Sequence, residues 1–211
     1  MLEPHTENLL VKSRFIEMFV DKGFEKKPIR TYVDTNKVSS KKKYTDEDEI
    51  KYVDISSIDN HKHEVIGYTT YKFSEAPSRA QQCLRNMDIL VSTVRPNLRN
   101  IALFYMDGDG YVGSSGFCVL RSKTCNPQYL KYIVLSQDFT DSMISLTTGV
   151  SYPAIRDDDV LSYQMIDAPI LLQNEFGSFV GLIDKSKFIL QKQKKNLEEL
   201  FELKLHQYFG D

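Results

Sequence analysis

The chain has 211 residues, 41% of them hydrophobic, and a formal net charge of −2 with a pI near 6.1. That length buries a core without staples, and the apolar content excludes a disordered chain. The balance of acid and base excludes a uniformly basic nucleic-acid binder, and no apolar run approaches the roughly 20 residues of a membrane-spanning helix.

Leu9, Leu10, Phe15, Ile16 and Phe19 recur at helical spacing and predict a short N-terminal helix from about His5 to Val20, stopped by Asp21-Lys22-Gly23. From Phe24 to about Asp167 the pattern turns to short β-rich runs: 51–56, 89–94, 101–105 and 117–120. Asp107-Gly108-Asp109-Gly110 separates two of them and predicts a hairpin. Asn126-Pro127 opens a predicted helix through Leu135. Irregularly mixed strands and short helices predict an α+β domain with a mixed or antiparallel sheet.

From about Leu171 to Tyr208 there is no proline, and Phe176, Ile183, Leu190 and Leu197 recur every seventh residue. A second line holds Val180, Phe201 and Tyr208, diluted by Lys187 and Lys194. This heptad seam predicts one long coiled-coil helix of ~55 Å, which overhangs a domain of this size and requires a partner for its apolar stripe. The stretch from Ser13 to Asp21 also aligns with that from Leu203 to Asp211, with Phe19 on Phe209 and Asp21 on Asp211, the pattern of one period of a two-fold repeat.

Chemistry is sparse. Cys83, Cys118 and Cys125 form no CxxC pair and fit a reducing cytoplasm. His61 and His63 have no Cys or His at metal-ligand spacing, and the Asp107 loop has Gly116 where a calcium loop needs its closing acid. Asn126-Pro127-Gln128-Tyr129 lacks the second proline of a methyltransferase base-gripping loop, and no glycine-rich turn is placed to hold a methyl donor. No cofactor, metal or catalysis is therefore expected.

What remains is a set of polar loops on a β-rich body. Four arginines (Arg79, Arg85, Arg95, Arg99) face one acid, Asp88, between Ser78 and Asn100. The candidates for DNA contact are Arg79, Thr93, Arg95, Asn97 and Arg99, together with Thr148, Ser151, Tyr152 and Arg156 in a second loop, because such side chains bond base edges or phosphates. Lys41-Lys42-Lys43 adds backbone-contact capacity.

The stretch Asp88-Ile-Leu-Val-Ser-Thr-Val-Arg95-Pro96 resembles the GDIL-x-S-x-x-RP motif of type I restriction specificity subunits. It is followed in the same order by 113–120, by Pro127-Gln-Tyr-Leu130, by Gly149-x-x-x-Pro153-x-Ile155 and by the helix start Ala168–Phe176. Departures are Met87 for glycine, Phe24 for tryptophan and Val20 for the glycine kept at Gly210. The resemblance implies three parts: an N-terminal helix (1–21) ending the conserved-helix repeat, a DNA target-recognition domain (22–168) and a conserved spacer helix (169–211). It implies a cytoplasmic, non-catalytic subunit that reads double-stranded DNA for modification and restriction subunits. Pairing with itself or with a second half subunit would run through Phe176, Ile183, Leu190, Leu197 and Phe201. The alternatives are a coiled-coil interaction protein or silent cassette with a degenerate head, and the recognition module of a related restriction-methylation enzyme.

Overall fold

The computed structural model describes residues 4–34, 38–149 and 153–210. In chain order the elements are α1 (Pro4–Phe19), β1 (Lys26–Pro28), β2 (Val33–Asp34), α2 (Ser40–Lys43), β3 (Glu49–Val53), β4 (Ile58–Asp59), β5 (Glu64–Val65), β6 (Thr69–Lys72) and β7 (Ala80–Cys83). There follow β8 (Ile89–Ser92), β9 (Ile101–Leu103), β10 (Tyr111–Ser114), β11 (Phe117–Ser122), α3 (Pro127–Val134), α4 (Gln137–Ser145), α5 (Asp157–Ser162), β12 (Gln164–Ile166) and α6 (Ile170–Phe209). The class is α+β, and the long helix is continuous over 40 residues.

A six-stranded sheet in the order β2-β11-β8-β9-β5-β4 is buried on both faces. Alternation along the strands does this: Ile89, Val91, Ile101, Leu103, Cys118 and Leu120 join a core with the helices, while Leu90, Ala102, Phe104 and Phe117 join another with Val53, Leu84 and Tyr111. The second core separates this sheet from a four-stranded one, β6-β3-β10-β7. The result is three layers, helices on sheet on sheet, with β1 and β12 closing a small antiparallel pair.

The hairpin predicted at 107–110 does not form. Gly108 and Gly110 turn the chain at positive φ, but β9 pairs with β8 and β5 while β10 pairs with β3 and β7. The turn carries the chain from one sheet to the other. It follows apolar runs that belong to different cores, which turn chemistry alone does not disclose.

Helix α1 lies on the start of α6. Phe15 and Phe19 both stand 5.5 Å from Phe176, ring to ring, and Phe19 packs 4.7 Å from Tyr129. Arg14 bonds Glu175 at 2.9 Å and lies over the Phe179 ring. Helix α3 closes the same cluster, with Tyr132 edge-on to Phe176. Its N-terminus is capped by Asn126, whose backbone N–H donates to buried Gln173 and whose side-chain amide donates to Asn174. A Cβ on Gly177 would fall 2.7 Å from the Asn126 side chain, so this close approach requires glycine.

Phe176 is accordingly placed in the chain's own core, not on an open seam, because α1 and α3 reach it first. Val180 is buried and Ile183 packs at the edge of the same cluster. Further along, Leu190, Leu197 and Phe201 are 54%, 67% and 63% exposed, so the apolar stripe continues past its intrachain partners. Among the described residues no helix is long and apolar enough to cross a membrane.

Candidate nucleic-acid interface

Strand β8 is buried throughout and delivers the chain into the turn 93–100. Arg95 and Arg99 bracket a short 3-10 turn, Pro96–Leu98, with φ of 49° and 52°. Non-glycine residues in the left-handed region are uncommon and mark backbone held by its surroundings. The surroundings here are the second predicted loop. Arg95 N–H donates to Pro153 O at 2.8 Å, and Ile155 N–H donates to Thr93 O at 2.9 Å. Thr148 and Ala154 exchange backbone bonds of 3.1 Å. Two loops far apart in sequence are thus laced into one rim.

Arg79 joins the rim from β7's approach: its carbonyl accepts from Ser115 N–H, next to Gly116, whose carbonyl accepts from Thr93. Arg79, Arg95, Asn97, Thr148 and Arg156 are all exposed. The Arg156 side chain is 85% exposed, with Nη2 3.5 Å from Asp159. The neighbouring acids are occupied: Asp159 also accepts from Arg156 N–H, and Asp158 pairs with Arg30 at 2.9 Å.

Two candidates are corrected. Thr93 is buried, its hydroxyl donating to Gly116 O at 3.0 Å. Arg99 is half-buried and its guanidinium donates to Leu135 O at the end of α3, leaving its Nε enclosed without an acceptor. Both side chains brace the rim from beneath through backbone carbonyls. Ser151 and Tyr152 lie outside the described residues.

The sequence reading missed the brace on the other side. The β4–β5 turn reaches the rim through Asn60, whose amide donates to Leu98 O at 2.9 Å, and through His63, whose Nδ1 lies 3.1 Å from Ile101 O. His61 and Lys62 are exposed at its tip. Burial, with help from Arg99, Lys131 and Lys12 and against the Ile101 carbonyl bond, pushes the His63 pKa from its ordinary 6.5 down to about 4. The folded state therefore binds this proton less well than the unfolded chain, so stability falls as pH drops from about 6.5 to 4. For a shift of this size the loss is at most about 3 kcal/mol, less where water reaches the ring. Urea unfolding of His63→Gln should show a flatter pH profile over that window; an unchanged slope would refute the assignment.

No protein-family model matches the chain, and no curated protein matches it in sequence. Among solved structures, the HsdS subunit from Thermoanaerobacter tengcongensis is similar at a TM-score of 0.67 and 26% identity, covering 90% of this chain and 50% of that one. A chain from a structure described as the basis of complex assembly and conformational transition of the type I R-M system is similar at a TM-score of 0.68 and 26% identity, covering 87% and 47%. The chain has the HsdS fold. It spans about half the length of the solved chains it matches.

In this HsdS-type chain the residues that carried the resemblance are mostly joints. Asp88 is buried on Arg121, Asn126 and Gln173 tie α3 to α6, and Pro153 and Ile155 lace the rim. These joints fix the backbone from which the exposed rim side chains project.

Proposed function

We propose that the chain reads DNA sequence for a type I restriction-modification system and leaves methyl transfer and cleavage to modification and restriction subunits. The observation that carries this is the laced rim: five exposed polar or cationic side chains, from three separate stretches, on one rigid HsdS-type frame. A net charge of −2 does not oppose it, since three exposed arginines, Arg79, Arg95 and Arg156, stand on the rim and Asp158 is paired with Arg30. In this reading 22–168 is the target-recognition domain, 1–21 and 169–211 are the conserved helices, and the setting is the cytoplasm. The exposed stripe on the far half of α6 supports pairing with a second copy or a second half subunit, and a two-fold pair would read an interrupted palindrome.

Methylome sequencing of the host with and without the gene should yield one bipartite motif that depends on the chain. Against that motif, Arg95→Ala and Arg156→Ala each test a rim contact. A base contact costs ~1–3 kcal/mol and relaxes one position, whereas a phosphate contact weakens all sequences alike and lowers the salt slope by about one. Unchanged affinity and salt slope in both variants would refute the rim as the interface.

A further inference from the structure

Three of the five non-glycine residues at positive φ among the described residues gather at one end of the sheets: Arg95 and Arg99 in the turn before β9, and His63, at 57°, in the turn before β5. Few side chains adopt that conformation, and it persists only where the surroundings hold it. Strand β5 runs parallel to β9 with Glu64 opposite Leu103, so both turns leave the six-stranded sheet at the same end. Asn60 and His63 fasten one turn to the other through the carbonyls of Leu98 and Ile101. The β4–β5 turn is also closed within itself. The Asp59 carboxylate accepts from His61 N–H at 2.9 Å and from Lys62 N–H at 3.0 Å, and the Asp59 carbonyl accepts from His63 N–H at 2.7 Å.

Two side chains have no part in this fastening. His61 and Lys62 stand exposed at the tip, the Lys62 side chain at 65%. Asp59 meets Lys62 Nζ only at 4.0 Å, while one of its oxygens is taken up by the two backbone N–H groups. Glu64, the next acid, lies within electrostatic reach of Lys131 on α3. The turn thus holds an ammonium and an imidazole outward beside the Arg95 turn. An ammonium is a compact point charge whose natural mate is a phosphate oxygen. We propose that the β4–β5 turn is a phosphate-gripping wall of the DNA interface, with Lys62 as the main contact and His61 beside it.

This rests on the reading of the rim as a DNA interface and divides the work within it. Phosphate contacts fix register and orientation on a duplex but carry no sequence information directly. The exposed Arg95 and Asn97 are of the types that bond guanine and adenine edges. Asn60 donates to the carbonyl of Leu98, the residue after Asn97, so a backbone held at Lys62 fixes how the Asn97 turn meets the groove. Asn60 is in this scheme a positioning residue. Loss of the Lys62 charge then weakens every sequence alike.

The test measures, over a range of salt, binding of the full chain to duplexes with and without the motif that depends on it. Lys62→Ala should lower the slope of log affinity against log salt by about one on both duplexes. Between about 50 and 200 mM salt its affinity then falls about 3.5-fold less than that of the wild type. Lys62→Arg should restore the slope. Lys72→Ala is the control for net charge, since Lys72 is 58% exposed and lies opposite Glu49. That is the far end of the four-stranded sheet, because β3 reaches the rim end at Val53, opposite Gly113. The control should leave the slope unchanged. An unchanged slope in Lys62→Ala, or an equal drop in both variants, overturns the phosphate assignment. So does a loss confined to the duplex that carries the motif, which would make Lys62 a base reader. A wild-type chain that binds neither duplex overturns the rim reading itself, which Arg95→Ala and Arg156→Ala test separately.

Discussion

Asp88→Ala is expected to lower stability by about 3–5 kcal/mol, a drop of roughly 6–20 °C in Tm for a chain of this size. Asp88 is 1% exposed and accepts three bonds: from Arg85 N–H at 2.8 Å, and from Arg121 Nε and Nη2 at 2.9 and 2.7 Å. A bidentate pair this deep is held by geometry, and its carboxylate raises the Arg121 pKa above the ordinary guanidinium value. Removing one partner leaves the other charge enclosed, which costs far more than the pair contributes.

The same guanidinium also donates to Cys83 O, so a residue at the end of β11 in the six-stranded sheet grips β7 in the four-stranded one. Asp88 stands immediately before β8, which leads into the rim. Its loss should therefore loosen the sheet-to-sheet joint and the path of the Arg95 turn together. Equilibrium urea unfolding measures the first effect. Replacing both residues with apolar ones of similar volume, Asp88→Leu with Arg121→Met, should recover much of the loss. A cost below about 1 kcal/mol for Asp88→Ala would show that the site relaxes enough to admit water.

The sequence disclosed what local periodicity controls. Helix α6 is legible because Phe176, Ile183, Leu190 and Leu197 keep one face over many turns with no proline, and β3, β8, β9 and β11 are legible as apolar runs. Strands such as β1, Lys26-Lys27-Pro28, are not: their partners lie over 100 residues away and their residues carry no strand preference. The rim was half legible. Residue type named Arg95, Arg99, Thr93 and Arg156 alike, but only three-dimensional packing separates an arginine that faces outward from one drawn under the loop to the end of α3. Asn60 and His63 were invisible as braces for the same reason, since they act through backbone carbonyls 38 residues away.

The heptad seam shows how far a one-dimensional pattern reaches. It treats Phe176 and Leu197 as equivalent, and packing does not. Phe176→Ala should cost about 3–5 kcal/mol in the single chain, since a fully buried ring in contact with Phe15, Phe19 and Tyr132 leaves a cavity that three ring neighbours cannot close. Leu197→Ala, at 67% exposed, should stay within about 0.5 kcal/mol in the single chain and act on self-association instead. Thermal melts at several protein concentrations, paired with sedimentation, separate the two: the first variant lowers Tm at every concentration, the second only where the chain associates. If Phe176→Ala instead weakened association and left the dilute chain unharmed, α1 would not be the helix that covers it, and the seat assigned to α1 at the start of α6 would be wrong.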